Sequence, residues 1–401
     1  MVNVIELKKL IANNDKDGLV AFMKQNPELC IKDGKIIVSD KKEIKARVEL
    51  LDGQQMVKKT GLNALYGSLL QISSRFFDER LGQSTTLSGR CIAKHMNSHV
   101  NECITGEYKV DGDAIQYIDT DSCQFTAYPI LKSLIDSGEL EWTKEIAVQL
   151  YEEIAEKTNA SFPAKMHDMF NCPKEKGELI KAGFESLGSR GLYLAKKRYA
   201  ILNYYKDGRY LDKPKLKAMG LEIKRSDTPK MVQNFLEELL YSFLSEGNIE
   251  IIINKINDFK DKFRNLQPYE QGTPKRANNI ANYEKAILAG TAKTVPGHVR
   301  AAINWNTLKK INNDTISQSM LDGTKCIVCP LKKNMMGMTS VAYPVDESNL
   351  PQWFKNLPFD TFSMMETVVE KKIQNLFGVV EGWKQIEEAT RKVNTFEDFF
   401  S

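Results

Sequence analysis

Apolar and polar residues along this chain change period several times, and each change marks an element. Residues 1–50 alternate short amphipathic stretches with NNDKDG and KDGK turns, which fits a helical hairpin. Residues 43–70 read as one long helix, with Leu50, Leu51, Met56, Leu62, Leu65 and Leu69 among its apolar positions. Gly53 and Gly61 weaken that helix by about 1 kcal/mol each relative to Ala. Residues 87–104 predict a second helix, and 114–127 a strand broken by an acidic turn. Residues 141–170 are mostly helical. Residues 180–225 alternate β-branched and aromatic residues with Gly and Pro turns, as in a mixed sheet with loops. At Thr228-Pro229 the pattern changes to two helices, 231–246 and 249–265, followed by a looser α/β region. The 226–229 turn is the expected domain boundary. No internal repeat or low-complexity tract is evident.

Length and composition leave room for two or three domains: 401 residues, 27% charged and 42% hydrophobic. No stretch approaches ~18 uncharged apolar residues, so no membrane-spanning helix is expected. The opening MVNVIELKKLIANND carries charges where a secretion signal needs an apolar run. The seven cysteines are scattered and odd in number, which favours a reducing compartment. Cys326 and Cys329 form a lone CxxC in KCIVCPL, an apolar run that reads as a buried strand. Cys91, His95, His99 and Cys103 recur every four residues, but twelve helical residues rise about 18 Å, too far to wrap one ion.

The net charge of +4 hides a segregation. Residues 181–230 hold 13 Lys/Arg against 5 Asp/Glu, a net of +8, whereas the remainder holds 43 against 47. Clustered positive charge of this kind is either a solvated face or a footprint for phosphate.

Three motifs carry chemistry. In Tyr117-Ile118-Asp119-Thr120-Asp121-Ser122, apolar flanks predict a hairpin, and period-two alternation predicts that Asp119 and Asp121 converge. Two close carboxylates repel unless a cation lies between them, and hard oxygen ligands suit Mg²⁺. In the long helix, Lys59, Asn63 and Tyr66 stand at i, i+4 and i+7 on one face, a cation, an amide and a ring suited to a nucleotide. Gly67 would let another backbone approach. In Lys196-Lys197-Arg198-Tyr199 the alternation places Lys197 and Tyr199 on one side of a strand, where cations and an aromatic plane suit nucleic acid.

In this order the motifs resemble the C-terminal part of a family B DNA polymerase, of the replicative type found in large tailed phages. KKTGLNALYG resembles the fingers-helix motif, YIDTDS the palm motif, and KKRYA the motif that touches the primer-template minor groove. LGSRG at 187–191, PKLKAMGLE at 214–222, SDTPK at 226–230 and ANNIANY at 277–283 extend the likeness, which runs from about residue 40 to the end.

The resemblance implies an α+β right-hand fold. Residues 1–72 would be the C-terminal part of the fingers, 73–227 the C-terminal part of the palm and 228–401 a mostly helical thumb. It implies Asp121 as main catalytic-metal ligand with Asp119 beside it, in a two-metal Mg²⁺ site. Lys59 and Asn63 would bind the incoming dNTP, and Tyr66 would pack under the nascent base pair. Lys196, Lys197, Arg198 and Tyr199 would contact primer-template DNA, with His298 and Arg300 on its backbone. Glu185 falls where the family has another palm carboxylate. Phe396, Phe399 and Phe400 resemble a tail that docks on a sliding clamp.

The family's Asp-x-x-Ser-Leu-Tyr-Pro carboxylate motif and the Asp-x-Glu exonuclease signature are not found in family order, and only 58 residues precede Lys59. The resemblance thus implies either a truncated piece of a longer polymerase or, as the favoured expectation, a split polymerase completed by an N-terminal polymerase/exonuclease subunit in the cytoplasm of an infected cell. Two other classes compete. A non-catalytic DNA-binding or architectural subunit has no need of converging carboxylates. A metalloenzyme hydrolysing phosphate through Asp119 and Asp121 lacks support from any Walker loop or histidine cluster.

Overall fold

A computed structural model of the chain describes residues 3–26, 29–32, 34–38, 41–291, 294–332 and 337–390. The tail with Phe396, Phe399 and Phe400 lies outside the described residues. The chain forms two compact units, one ending at Lys94 and one starting at His95.

The first unit opens with the helical hairpin α1 (Val4–Ala12) and α2 (Lys16–Gln25). Asn3 and Asp15 cap these helices, their side chains accepting from the Glu6 and Gly18 amides. The next stretch departs from the helical expectation. β1 (Leu29–Lys32) and β2 (Lys35–Val38) pair antiparallel. The apolar runs LCIK and KIIV favour extended chain, and Gly34 supplies a φ of +71° at the turn.

The expected long helix is present as α3 (Lys41–Leu70), continuous through Gly53 and Gly61. Its apolar residues lie in the open: Leu50, Leu51, Met56, Val57, Leu62 and Leu65 are between 45% and 72% exposed. α4 (Glu79–Thr105) begins eight residues earlier than the apolar pattern suggests. Asp78 accepts from the Arg80 and Leu81 amides and so caps a polar first two turns.

The second unit contains the hairpin β3 (Ile115–Asp119) and β4 (Ser122–Phe125), then α5 (Tyr128–Asp136), α6 (Lys144–Phe170) and the short α7 (Lys174–Gly177). β5 (Ser186–Ala195), β6 (Arg198–Lys206) and β7 (Arg209–Met219) form one sheet. It is wholly antiparallel, not mixed, because short turns join consecutive strands.

α8 (Lys230–Glu246) and α9 (Ile249–Arg264) follow as expected, split by Gly247 at φ +69° and by the Asn248 cap. β8 (Thr273–Ala277), α10 (Ile280–Leu288), α11 (Gly297–Ile311), β9 (Thr324–Pro330) and β10 (Ser340–Pro344) form an α/β layer in the order β10-β9-β8. Cys326 and Cys329 lie on β9 and are buried, as the strand reading requires. α12 (Gln352–Lys355), α13 (Thr361–Met364), a π-helical turn (Met365–Glu370), α14 (Lys371–Phe377) and α15 (Trp383–Thr390) close the described chain.

The largest apolar cluster joins the sheet to these helices. Ala200 and Leu202 of β6, Leu239 of α8, Ile256 of α9 and Phe377 of α14 belong to it, so one core crosses the 226–229 turn. A second cluster surrounds Trp305 of α11. Lys260 is buried yet paired, with Glu370 at 2.7 Å and the Thr390 carbonyl at 2.9 Å, which ties α9 to the C-terminal helices.

Burial sets the expected mutational contrast. Leu239→Ala should destabilise the protein by about 2–5 kcal/mol, because a fully buried side chain leaves a cavity. Leu65→Ala should change stability by only about 0.5 kcal/mol. Urea unfolding of both variants checks this, and equal losses would contradict the exposure of α3.

Candidate active site

The acidic motif sits at a hairpin tip. Asp119 pairs with Ser122 across β3–β4, leaving Thr120 and Asp121 as the turn. Thr120 has φ +52°, so the strand alternation stops at Asp119. The two aspartates therefore differ. Asp119 is half-buried at a strand end, whereas Asp121 is an exposed turn residue. The premise that both occupy one strand face is corrected by the turn. The Asp121 amide donates to the Asp119 carbonyl, and Thr120 Oγ1 lies 3.1 Å from Asp119 Oδ1.

The basic motif sits at a second tip. Lys196 and Lys197 are the turn between β5 and β6, with Ala195 paired to Arg198 and Lys197 at φ +60°. Lys197 is thus not a strand residue alternating with Tyr199. Lys196 and Lys197 are exposed, and Tyr199 is 8% exposed. The Tyr199 ring is committed to Tyr117 at 5.3 Å and Tyr193 at 5.8 Å between centroids.

The fold brings the two tips together. The Lys197 amide donates to the Tyr117 hydroxyl at 2.6 Å, and Lys197 Nζ lies 3.6 Å from Asp119 Oδ1. Tyr117 and Tyr193 stack at 6.0 Å. Burial pushes the Tyr193 hydroxyl up to about 12, so this ring stays neutral at ordinary pH. At the other end of the hairpin, Phe125 contacts Tyr151 at 5.1 Å, and Tyr151 stacks on Phe184 at 6.3 Å. Aromatic contacts thus hold the hairpin to β5 and β6 near its tip and to α6 at its other end.

Glu185 is not at these tips. It precedes β5, at the end away from the Lys196–Lys197 turn, and pairs with Lys217 at 2.9 Å. Arg198 donates to Glu222 and is not free. His298 and Arg300 lie in the first turn of α11. Burial, then the Lys275 charge, lowers the affinity of His298 for a proton. Lys275 itself pairs with Asp227 at 3.1 Å, and Arg225 beside it holds the Asp227 carboxyl well below the usual range. Arg300 is exposed.

Lys59, Asn63 and Tyr66 belong to the first unit. Lys59 and Asn63 are exposed on α3, and Tyr66 is half-buried. Beyond its chain neighbours and the helix's own nearby backbone, no described atom lies within 4 Å of the space a Cβ at Gly67 would fill.

Among the described residues, no group of three or more His, Cys, Asp or Glu is placed to hold a metal. Within the histidine helix, His95 Nδ1 is 2.8 Å from the Tyr108 hydroxyl and Nε2 is 2.9 Å from Ser161 Oγ. Ser161 donates its own proton to the Thr158 carbonyl, so it accepts from His95. His99 Nδ1 lies 3.4 Å from Thr158 Oγ1.

Comparison with known proteins agrees with the family resemblance. Residues 35–288 match the model of DNA polymerase family B. The chain belongs to DNA polymerase family B. The family B match includes α3, both hairpin tips and the α8–α9 pair. Among curated relatives, the DNA-directed DNA polymerase of Escherichia phage RB69 is 30% identical over 72% of this chain and 33% of its own length. That of Enterobacteria phage T4 is 29% identical over 84% of this chain and 38% of its own length. DNA polymerase 1 of Pyrococcus abyssi is 25% identical over 57% of this chain and 24% of its own. The chain thus spans little more than a third of the two phage relatives.

Burial, then the charges of His99 and Lys165, hold His95 down to about 4, and the side chain is only 6% exposed. Unfolded, a histidine binds its proton near about 6.5. Between those values the unfolded state carries more protons, so stability falls as pH drops from about 6.5 towards 4. In His95→Gln this part of the acid sensitivity should vanish. Denaturation series across that window check it, and an unchanged pH slope would rule it out.

Proposed function

We propose that the chain is the C-terminal subunit of a split DNA-directed DNA polymerase. With an N-terminal partner supplying the other palm carboxylate, it would transfer a nucleotide from a dNTP to a primer 3′-hydroxyl during viral DNA replication. The observation that carries this reading is the meeting of an acidic tip with a basic one, through Tyr117, Lys197 and Asp119. Residues 1–72 would act as fingers, 73–227 as palm and 228–401 as thumb.

Asp119 and Asp121 suit Mg²⁺ by their chemistry. Mg²⁺ takes one or two protein carboxylates and completes its shell with substrate phosphate and water. The Lys197 ammonium beside Asp119 marks the tip as a place where positive charge is favoured. Bound metal would lower the pKa of the 3′-hydroxyl and neutralise charge on the triphosphate. The chain's own residues would do the rest. Asp121, exposed in the turn, would face the reacting phosphate with Asp119 behind it. Lys59 would hold the triphosphate, with Asn63 beside it and the Tyr66 ring under the nascent base pair. Lys196 and Lys197 would meet the minor groove near the primer end, a contact tolerant of sequence because its acceptors are degenerate. Tyr199 would support that turn from below. His298 and Arg300 would contact the DNA backbone.

The partner reading is supported by the exposed apolar residues of α3. Bare apolar surface of this extent is a protein-contact signature.

Primer extension tests the proposal. The chain with a polypeptide bearing the Asp-x-x-Ser-Leu-Tyr-Pro motif should extend a primer, and the chain alone should not. Robust synthesis by the chain alone would remove the need for a partner. In the pair, Asp121→Ala should cut extension by about a thousandfold or more while DNA binding persists. Full extension by that variant would reject the metal assignment, and DNA binding without extension by the intact pair would favour an architectural subunit.

A groove contact through Lys197 makes a separate claim. Lys197→Ala should weaken primer-template binding about three- to tenfold, alike on all sequences. Fluorescence anisotropy on several duplexes reads this directly, and a loss confined to some sequences would contradict it.

A further inference from the structure

Lys196 and Lys197 face outward, but the next residue does not follow them. Arg198 Nη2 donates to Glu222 Oε1 at 3.0 Å and to Oε2 at 3.1 Å. Glu222 is 5% exposed. Asn375 of α14, 153 residues further along the chain, donates its amide to Glu222 Oε1 at 3.2 Å. Two separate elements thus converge on one buried carboxylate.

Glu222 reaches this place by a tight pass beneath the turn. Gly220 has φ +62°, and a Cβ there would collide with the Lys197 carbonyl oxygen. Leu221 is fully buried in the main apolar cluster and anchors the segment. The Lys196–Lys197 turn is therefore gripped from two sides. On one, the Tyr117 hydroxyl accepts from the Lys197 amide. On the other, the chain from Gly220 to Glu222 closes on the Lys197 carbonyl and on the Arg198 side chain.

We propose that Arg198 is a positioning residue and not a DNA contact: its pair with Glu222, backed by Asn375, sets the Lys196–Lys197 turn beside Asp119. The inference rests on reading that turn as the primer-template contact. It gives Arg198 a role opposite to the one its place in a basic run implies. A guanidinium held by both oxygens of a buried carboxylate would have to abandon that charge inside the protein to reach a phosphate. It also makes α14 part of the turn's support, through Asn375.

The test uses the full chain and its Arg198→Met, Arg198→Lys and Glu222→Gln variants. Hydrogen exchange is read on the free protein and primer-template affinity over a range of salt. The turn amides of residues 196–199 should exchange about tenfold faster in Arg198→Met and Glu222→Gln, with α6 unchanged. Arg198→Lys, which keeps one charged bond, should restore part of the protection. Primer-template binding should weaken about tenfold in Arg198→Met and in Glu222→Gln alike, and the double variant should be no worse. The salt slope should stay that of the unaltered chain.

A slope shallower by about 0.9 in Arg198→Met, with Glu222→Gln binding normally, would make Arg198 a phosphate contact and overturn the proposal. Unchanged exchange at the turn would overturn it as well. If the unaltered chain bound primer-template with no dependence on salt, the polymerase reading would fail. The exchange measurements would still decide whether the pair holds the turn.

Discussion

Two like charges at a hairpin tip are the constraint around which the site is arranged. Asp119 and Asp121 lie two residues apart, and placing them at a β-turn concentrates negative charge where the chain reverses. The Lys197 ammonium offsets part of it from 3.6 Å. Yet Lys197 is 66% exposed and Asp119 27%, and such a pair contributes only about 0–1 kcal/mol. The ion pair therefore cannot hold the tips together. The tyrosines do more. The contacts among Tyr117, Tyr193 and Tyr199 are each worth about 0.5–1.5 kcal/mol beyond their buried area. Apolar packing brings the charges together, and the charges then fix which side chain faces which.

The same division recurs beneath the turn. Glu222 is too buried to be left alone, since stranding one member of a buried pair costs about 3–5 kcal/mol. It binds Arg198 and Asn375 together, and so ties a strand, a tight loop and a helix remote in sequence. Lys260 plays a similar part further along, joining α9 to Glu370 and to the Thr390 carbonyl. In both places a partnered charge specifies how elements meet that the apolar cluster alone would only press together.

Much of this was legible in the sequence, and the misses share a cause. α3, α8 and α9 appear where the helical period predicts them, and the acidic hairpin appears where the apolar flanks do. Alternation failed at Thr120 and Lys197, because left-handed residues at tight turns end a strand without any break in composition. Arg198 could not be sorted from its basic neighbours by charge, since its partner Glu222 is 24 residues away. Glu222 itself ends PKLKAMGLE, one of the stretches that carry the family likeness. A glutamate following Gly-Leu in a strand-ending segment was the available signal, but only the fold shows that it is buried. The β1–β2 hairpin was missed for another reason: polar KDGK turns serve helices and strands equally well.

The state of α3 bears on how a nucleotide site on it would form. Thirty helical residues extend about 45 Å, and the helix exposes its apolar side chains along most of that length. Packing normally supplies most of a helix's stability, and intrinsic propensity little. Gly53, Gly61 and Gly67 each cost this one about 1 kcal/mol relative to Ala. Lys59, Asn63 and Tyr66 thus share a face by periodicity, but with little tertiary burial to hold that face in place. A surface that covered Leu50, Leu62 and Leu65 would stabilise the helix and the face bearing Lys59, Asn63 and Tyr66 in one step. On the split-polymerase reading, assembly with the N-terminal partner and organisation of the dNTP site are then the same event, and nucleotide binding should stabilise the pair more than the chain alone.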